Sequence, residues 1–254
     1  MTPLWKPMPY FVLRDCGALN KIKKNKVSTG VAALKIFIFI CLKSNVSDDG
    51  TYCALITYDQ FSQYCSLSRK LIAEGLRYLE NIKLIEVDGE RKKRYILCNC
   101  IRKDKKLMLS RFQSSYGHWC KLPYKGLFDE SGRITSFESM SNRNVVELNA
   151  LKIFVYILMV RTGGKAYSAV TLKTIKSRLS LSYQEIMVAI AYLHSIGLLE
   201  RSDVGSNSIS NYDERFSVKF LVCGWEGLEW KPHYYSDSDN GVDTWKEKLL
   251  DGVF

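Results

Sequence analysis

The chain has 254 residues, Lys+Arg 37 against Asp+Glu 26, a formal net charge of +11 and a hydrophobic fraction of 46%. This balance excludes a disordered or fibrous chain, and the length allows one large domain or two ordinary ones, each able to bury a core. The cationic excess implies an anionic partner: nucleic acid, an acidic protein or a lipid surface.

The first ten residues hold Pro3, Pro7, Pro9 and Lys6 where a signal peptide would need an apolar run, so a cytoplasmic protein is expected. The leading segment reads Trp5-x3-Pro9-Tyr10-x2-Leu13, and a basic cluster, KIKKNK, follows at Lys21–Lys26. Val31–Lys43 is apolar, unbroken and too long for a usual strand, which predicts a buried helix with Ser28 and Thr29 as cap candidates. A polar loop and a short strand, Tyr52–Ile56, come next. Thr57 then caps a brief helix through Tyr64, and Ser66 or Ser68 caps a longer one to about Lys83. In that helix Ile72, Leu76, Leu79 and Ile82 form one buried stripe. Leu84–Val87 and Arg91–Leu97 around Asp88-Gly89 predict a β-hairpin, and the basic run Arg102–Lys106 reads as a linker.

The same series then recurs. ALKIFIFI at Ala33–Ile40 returns as ALKIFVYI at Ala150–Ile157, an offset of 117, inside a predicted helix Val145–Arg161 behind Asn142 and Asn144. The leading segment returns as Trp119-x3-Pro123-Tyr124-x2-Leu127, and Thr57–Glu86 as Thr171–Glu200, both at an offset of 114. The chain is read as a duplicated unit of roughly 110 residues, the size of a small domain. The units span 1–111 and 112–224, and an aromatic, acidic tail of 225–254 lies outside them.

Helix, strand, helix, turn, helix, hairpin is the order of a winged helix-turn-helix, so the expected fold class is α+β with two such domains in tandem. The run LSRKLIAEGLRYLENIKLIEVDGERKKRY, from Leu67, resembles the core of bacterial winged-helix proteins. Two units, each led by W-x3-P-Y-x2-L and an ALKIF helix, resemble plasmid-type replication initiators. That resemblance implies a bacterial, nucleoid-associated DNA-binding protein that recruits host replication machinery.

Function has to be argued from surfaces. Residues 1–111 carry 21 Lys+Arg and 10 Asp+Glu, whereas 112–254 carry 16 and 16, so the whole net charge belongs to the first unit. Counting 100° per residue from the apolar stripe puts Lys70, Ala73, Glu74 and Arg77 on the outward face of the third helix, after Ser68 and beside Arg69. Cations there suit phosphates and guanine edges, and Ala73 permits close approach. With Arg91, Lys92, Lys93 and Arg94 at the hairpin and Arg102 and Lys103 in the linker, they form the expected DNA-binding set, and double-stranded DNA is the expected partner. The matching positions in the second unit are Tyr183, Gln184, Met187, Val188 and Ala191. None is charged, so the second unit is expected to support dimerisation or a second half-site, with Tyr183, Gln184, Met187 and Val188 as candidate contacts weaker than those of the first; Met187 and Val188 serve either a dimer contact or a seat for the aromatic tail.

No phosphate-binding glycine loop is present, since Gly163-Gly164-Lys165 lacks the spacing and the following hydroxyl residue. The eight cysteines, Cys16, Cys41, Cys53, Cys65, Cys98, Cys100, Cys120 and Cys223, form no C-x-x-C pair and read as reduced core residues. Cys98, Cys100, His118 and Cys120 match no common zinc spacing. No enzyme activity, metal or cofactor is expected. The apolar runs Ile36–Leu42 and Ile153–Val160 are too short to span a bilayer, so no membrane association is expected. A transcriptional regulator and a protein-interaction scaffold are the alternatives to an initiator.

Overall fold

The computed structural model describes residues 3–15, 17–22, 26–89, 92–103, 106–130, 132–161, 165–204 and 217–228. It is a mixed α+β protein with small antiparallel sheets. Strand β1 (Trp5–Pro9) leads into two short helices, α1 (Phe11–Arg14) and α2 (Ala18–Lys21), and then into α3 (Val27–Lys43). Strands β2 (Asn45–Val46) and β3 (Tyr52–Leu55) precede α4 (Tyr58–Cys65) and α5 (Arg69–Asn81). Then come β4 (Ile85–Asp88), β5 (Arg94–Lys103) and β6 (Lys106–Arg111). The second half contains β7 (Trp119–Pro123), α6 (Thr135–Glu138), α7 (Val145–Val160), β8 (Ser168–Thr171), α8 (Leu172–Leu179), α9 (Tyr183–Ser195), β9 (Leu199–Val204) and β10 (Ser217–Val222).

The two halves repeat one another in backbone detail. Thr57 and Thr171 cap α4 and α8, and Ser68 and Ser182 cap α5 and α9. Ser66 and Ser180 both take left-handed φ at the turn between those helices, at 51° and 54°. Lys83 and Gly197 do the same after α5 and α9, which lets Leu84 N–H reach Leu79 O and Leu198 N–H reach Leu193 O, each at 3.0 Å. Strand order β3-β5-β4 in one half matches β8-β10-β9 in the other.

Several sequence expectations shift by a turn or a strand. α3 starts at Val27, because Thr29 does not cap it: its hydroxyl donates to Glu74 Oε2 of α5 at 3.1 Å. Asn144 caps α7 in a capping box with Glu147, whereas Asn142 is buried and ties the halves together. The first hairpin turn is longer than two residues, so β5 begins at Arg94 and not at Arg91. The expected linker is not a linker: β5 runs on to Lys103 and folds back as β6, with Lys103 opposite Lys106. The strand does not stop at Leu97, and Asn99 is held inside it, accepting from Phe11 N–H and donating to His118 O.

α3 and α7 are buried on all sides and pack against one another at the centre of one continuous core. Gly30 permits this, since a Cβ there would lie 2.7 Å from Ile22 and 3.0 Å from Leu148. Gly75 likewise lets α5 approach the backbone of Ala32 and Ala33 to about van der Waals limits, with a Cβ meeting Ala33 N at 3.2 Å.

β1 and β7 are antiparallel, with Trp5 opposite Pro123, Pro7 opposite Lys121 and Pro9 opposite Trp119. At the repeat offset of 114, Pro7 therefore faces its own counterpart, and every other pair is reciprocal. Tyr10 N–H donates to His118 O at 3.0 Å, and its counterpart Tyr124 N–H donates to Leu4 O at 2.9 Å. The halves are related by a pseudo-twofold axis through Pro7 and Lys121, the geometry of an isologous dimer interface inside one chain. The lysines of the two ALKIF helices follow the same rule. Lys35 donates to Phe137 O and Asn142 Oδ1 of the second half, at 2.7 and 2.6 Å, and Lys152 donates to Ile22 O of the first.

Candidate nucleic-acid interface

α5 is amphipathic: Ile72, Gly75, Leu76 and Leu79 are buried against α3, and Ile82 is half-buried just past its end. Turning that stripe inward exposes Lys70 and Arg77. Ser68 is exposed at the helix start, where its hydroxyl accepts from Leu71 N–H. Arg69 is exposed and pairs with Asp59 of α4 at 2.7 Å, the two side chains 72% and 82% accessible. An ion pair that open to water is worth less than about 1 kcal/mol, so a phosphate can displace the aspartate at little cost. Ala73 and Glu74 are half-buried, not fully outward, because Glu74 turns toward the first turn of α3 to meet Thr29.

Beside this face runs an open groove of about 630 Å³, with Lys26, Val27, Ser28 and Thr29 on one side and Glu74, Arg77, Tyr78 and Asn81 on the other. Tyr78 closes its end by donating to Lys21 O at 2.8 Å. The structure thus brings Lys21 and Lys26, some 50 residues away in sequence, against the C-terminal half of α5; Lys23 and Lys24 of the same cluster lie outside the described residues. Sequence reading singled out that cluster but had no means of joining it to Arg77.

The basic clusters flanking β5 separate. Lys92 and Lys93 are exposed at the first hairpin turn. Arg94 is half-buried inside the sheet opposite Asp88 and Leu55, its Nε buried without a hydrogen-bond partner, so it is not a tip residue. Arg91 lies outside the described residues. Arg102 and Lys103 are strand residues at the far end of β5. Nine steps at roughly 3.3 Å put Arg94 and Lys103 about 30 Å apart, so the two clusters do not converge on one spot.

In the second half Gln184, Met187, Val188 and Ala191 of α9 are exposed, Met187 at 38% and Val188 at 46%. Tyr183 is half-buried under Lys176, whose ammonium sits 4.2 Å from the ring centre. The tail aromatics Trp230, Tyr234, Tyr235 and Trp245 lie outside the described residues. Trp225–Gly227 forms a short 3-10 turn that brings Leu228 O to Lys121 and Arg161, and Gly227 against Leu4.

Residues of the types that carry other chemistry are buried or have structural partners. Burial pushes the thiols of Cys98, Cys120 and Cys223 up to about 12. His194 is hydrogen-bonded to Ser202 at 2.9 Å. Asp49 accepts from Ser47 and from the amide and hydroxyl of Thr51, which holds its carboxyl well below the usual carboxylate range and fixes a turn. Among the described residues no three His, Cys, Asp or Glu converge in a way that could hold a metal, and no helix is long and apolar enough to cross a membrane. No protein-family model, curated protein or solved structure matches the chain.

Proposed function

We propose that the chain is a sequence-specific duplex-DNA-binding protein of the replication-initiator type, built from two winged helix-turn-helix units that arose by internal duplication. The observation that carries this reading is the cationic face of α5: Lys70 and Arg77 exposed beside the Lys26 groove, on the half that holds the whole net charge. The repeated element order, the shared strand order and the matched caps support the fold assignment. In this reading α5 enters the major groove, Ala73 allows close approach, and Lys92 and Lys93 touch the backbone alongside. The protein binds and recruits host machinery without catalysis or cofactor. The exposed apolar pair on α9 favours a protein contact there, with a second copy as the simplest partner.

Selection of random duplexes by the full chain, followed by salt titration on the winning site, tests the reading. Duplex affinity should fall steeply with salt, and Arg69→Ala, Lys70→Ala and Arg77→Ala together should flatten the slope of log K against log salt by up to about 2.7, at roughly 0.9 per phosphate contact. Salt-independent or absent duplex binding overturns it. Loss of origin activity on deletion marks an initiator; loss of repression with replication intact marks a regulator.

A further inference from the structure

The exposed cations of the second half gather on α8 and not on α9. Leu172, Ile175 and Leu179 bury one side of α8, which leaves Lys173, Lys176 and Arg178 exposed on a helix without any acidic residue. Its counterpart α4 exposes Asp59, Gln60, Ser62 and Gln63 and contains no cation.

The position of α8 gives those charges meaning. α8 packs against α2, and α2 ends at Lys21, whose carbonyl accepts the hydroxyl of Tyr78 on α5. α2 is therefore a bridge from α5 in the first half to α8 in the second. The pseudo-twofold generates a second junction of the same kind, in which α4 packs against α6 and Tyr192 of α9 reaches Glu147 at the start of α7. The two junctions share a backbone plan and differ in charge. In the second, α9 presents Gln184, Met187 and Val188, Arg133 is paired with Glu138, and Asp59 lies on α4. Arg143 is exposed there, but Glu147 accepts from its backbone and turns a carboxylate into the place where the first half has Gly30.

Resting on the proposed DNA-binding function, we infer that the duplex backbone crosses from α5 over Lys21 and Lys26 to α8, so that the second half contacts DNA through Lys173, Lys176 and Arg178 and not through α9. α5 alone is about 18 Å long at 1.5 Å per residue, roughly half a turn of duplex. Continuation over α2 to α8 extends the contact toward a full turn without a second copy of the chain. The phosphate contacts of α8 add affinity and register, while base reading stays with α5. The apolar surface of α9 is left free for protein.

The test uses the full chain and a duplex of about 30 base pairs of unselected sequence, because phosphate contacts are independent of sequence. Lys173→Ala, Lys176→Ala and Arg178→Ala together should lower affinity at low salt by about 10- to 100-fold and flatten the salt slope by about 2 to 3. Gln184→Ala with Met187→Ala and Val188→Ala should change neither. If loss of Lys176 from Tyr183 unfolds the chain, Lys173→Gln with Arg178→Gln gives the same readout with a slope change near 2. An unchanged slope in the α8 variants, with loss in the Lys70→Ala and Arg77→Ala variant, overturns the inference and leaves the DNA-binding reading standing. Loss in the α8 variants alone overturns the continuous path from α5. No salt-dependent binding by the unaltered chain overturns both.

Discussion

Lys35 has no solvent exposure, yet its ammonium is matched by three acceptors, Cys65 O, Phe137 O and Asn142 Oδ1. Burial lowers its pKa to about 8, against which the Glu147 carboxylate pulls only partly. The folded value lies below the unfolded 10.5, so the folded protein binds fewer protons between the two. The burial penalty is therefore fully present below pH 8 and is relieved as pH rises toward 10.5. Relative to Lys35→Met, the wild-type chain should gain stability over that window, by up to about 3 kcal/mol. Chemical denaturation of both proteins at pH 7.5 and 10 measures it, and a difference that stays flat with pH would show that Lys35 does not titrate there. Sequence gives the lysine but not its burial: within ALKIF it reads as a charge bracketing an apolar run, and its acceptors lie 30, 102 and 107 residues away.

At the level of elements, α5 and α9 are the same helix on the same frame with opposite surfaces. Both are capped by an extended serine in the turn after the preceding helix, both bury a stripe against a central helix, and only α5 exposes cations. Met187 and Val188 are exposed among the described residues, and a lysine pair separates the two roles left open for them. Met187→Lys with Val188→Lys should leave the fold intact, with a melting temperature within the few degrees usual for surface changes. Sedimentation of the same variant reads the interface: any dimer formed by the wild-type chain should dissociate. Unfolding of the variant would instead mean that the pair is covered. α5 was legible because amphipathic periodicity and a serine cap are local signals. The β5–β6 hairpin was not, since its alternation passes through Cys98-Asn99-Cys100, and only the hydrogen bonds of Asn99 make a polar residue acceptable inside a strand.

For the whole molecule, the reciprocal β1–β7 pairing and the α3–α7 contact join the halves through one core, so they should unfold together. Trp5 and Trp119 stack at 5.5 Å between ring centres across the pseudo-twofold. Trp5→Ala and Trp119→Ala should cost similar amounts, and the double variant should reveal a coupling of about 0.5 to 1.5 kcal/mol. A single calorimetric transition is expected for the wild-type chain. Two separate transitions would show that the halves are independent domains.

The repeat, the order of the long helices and the first hairpin, the cap at Thr57 and the segregation of charge were all present in the sequence, because each depends on near neighbours or on composition. The pairing of the two leading strands, the burial of Lys35 and Lys152 across the halves and the meeting of Lys26 with Arg77 were not. Those contacts join residues 50 to more than 100 positions apart: α3 packing on α5 sets Lys26 beside Arg77, and α3 on α7 with β1 on β7 joins the halves, neither of which periodicity within a single element can express.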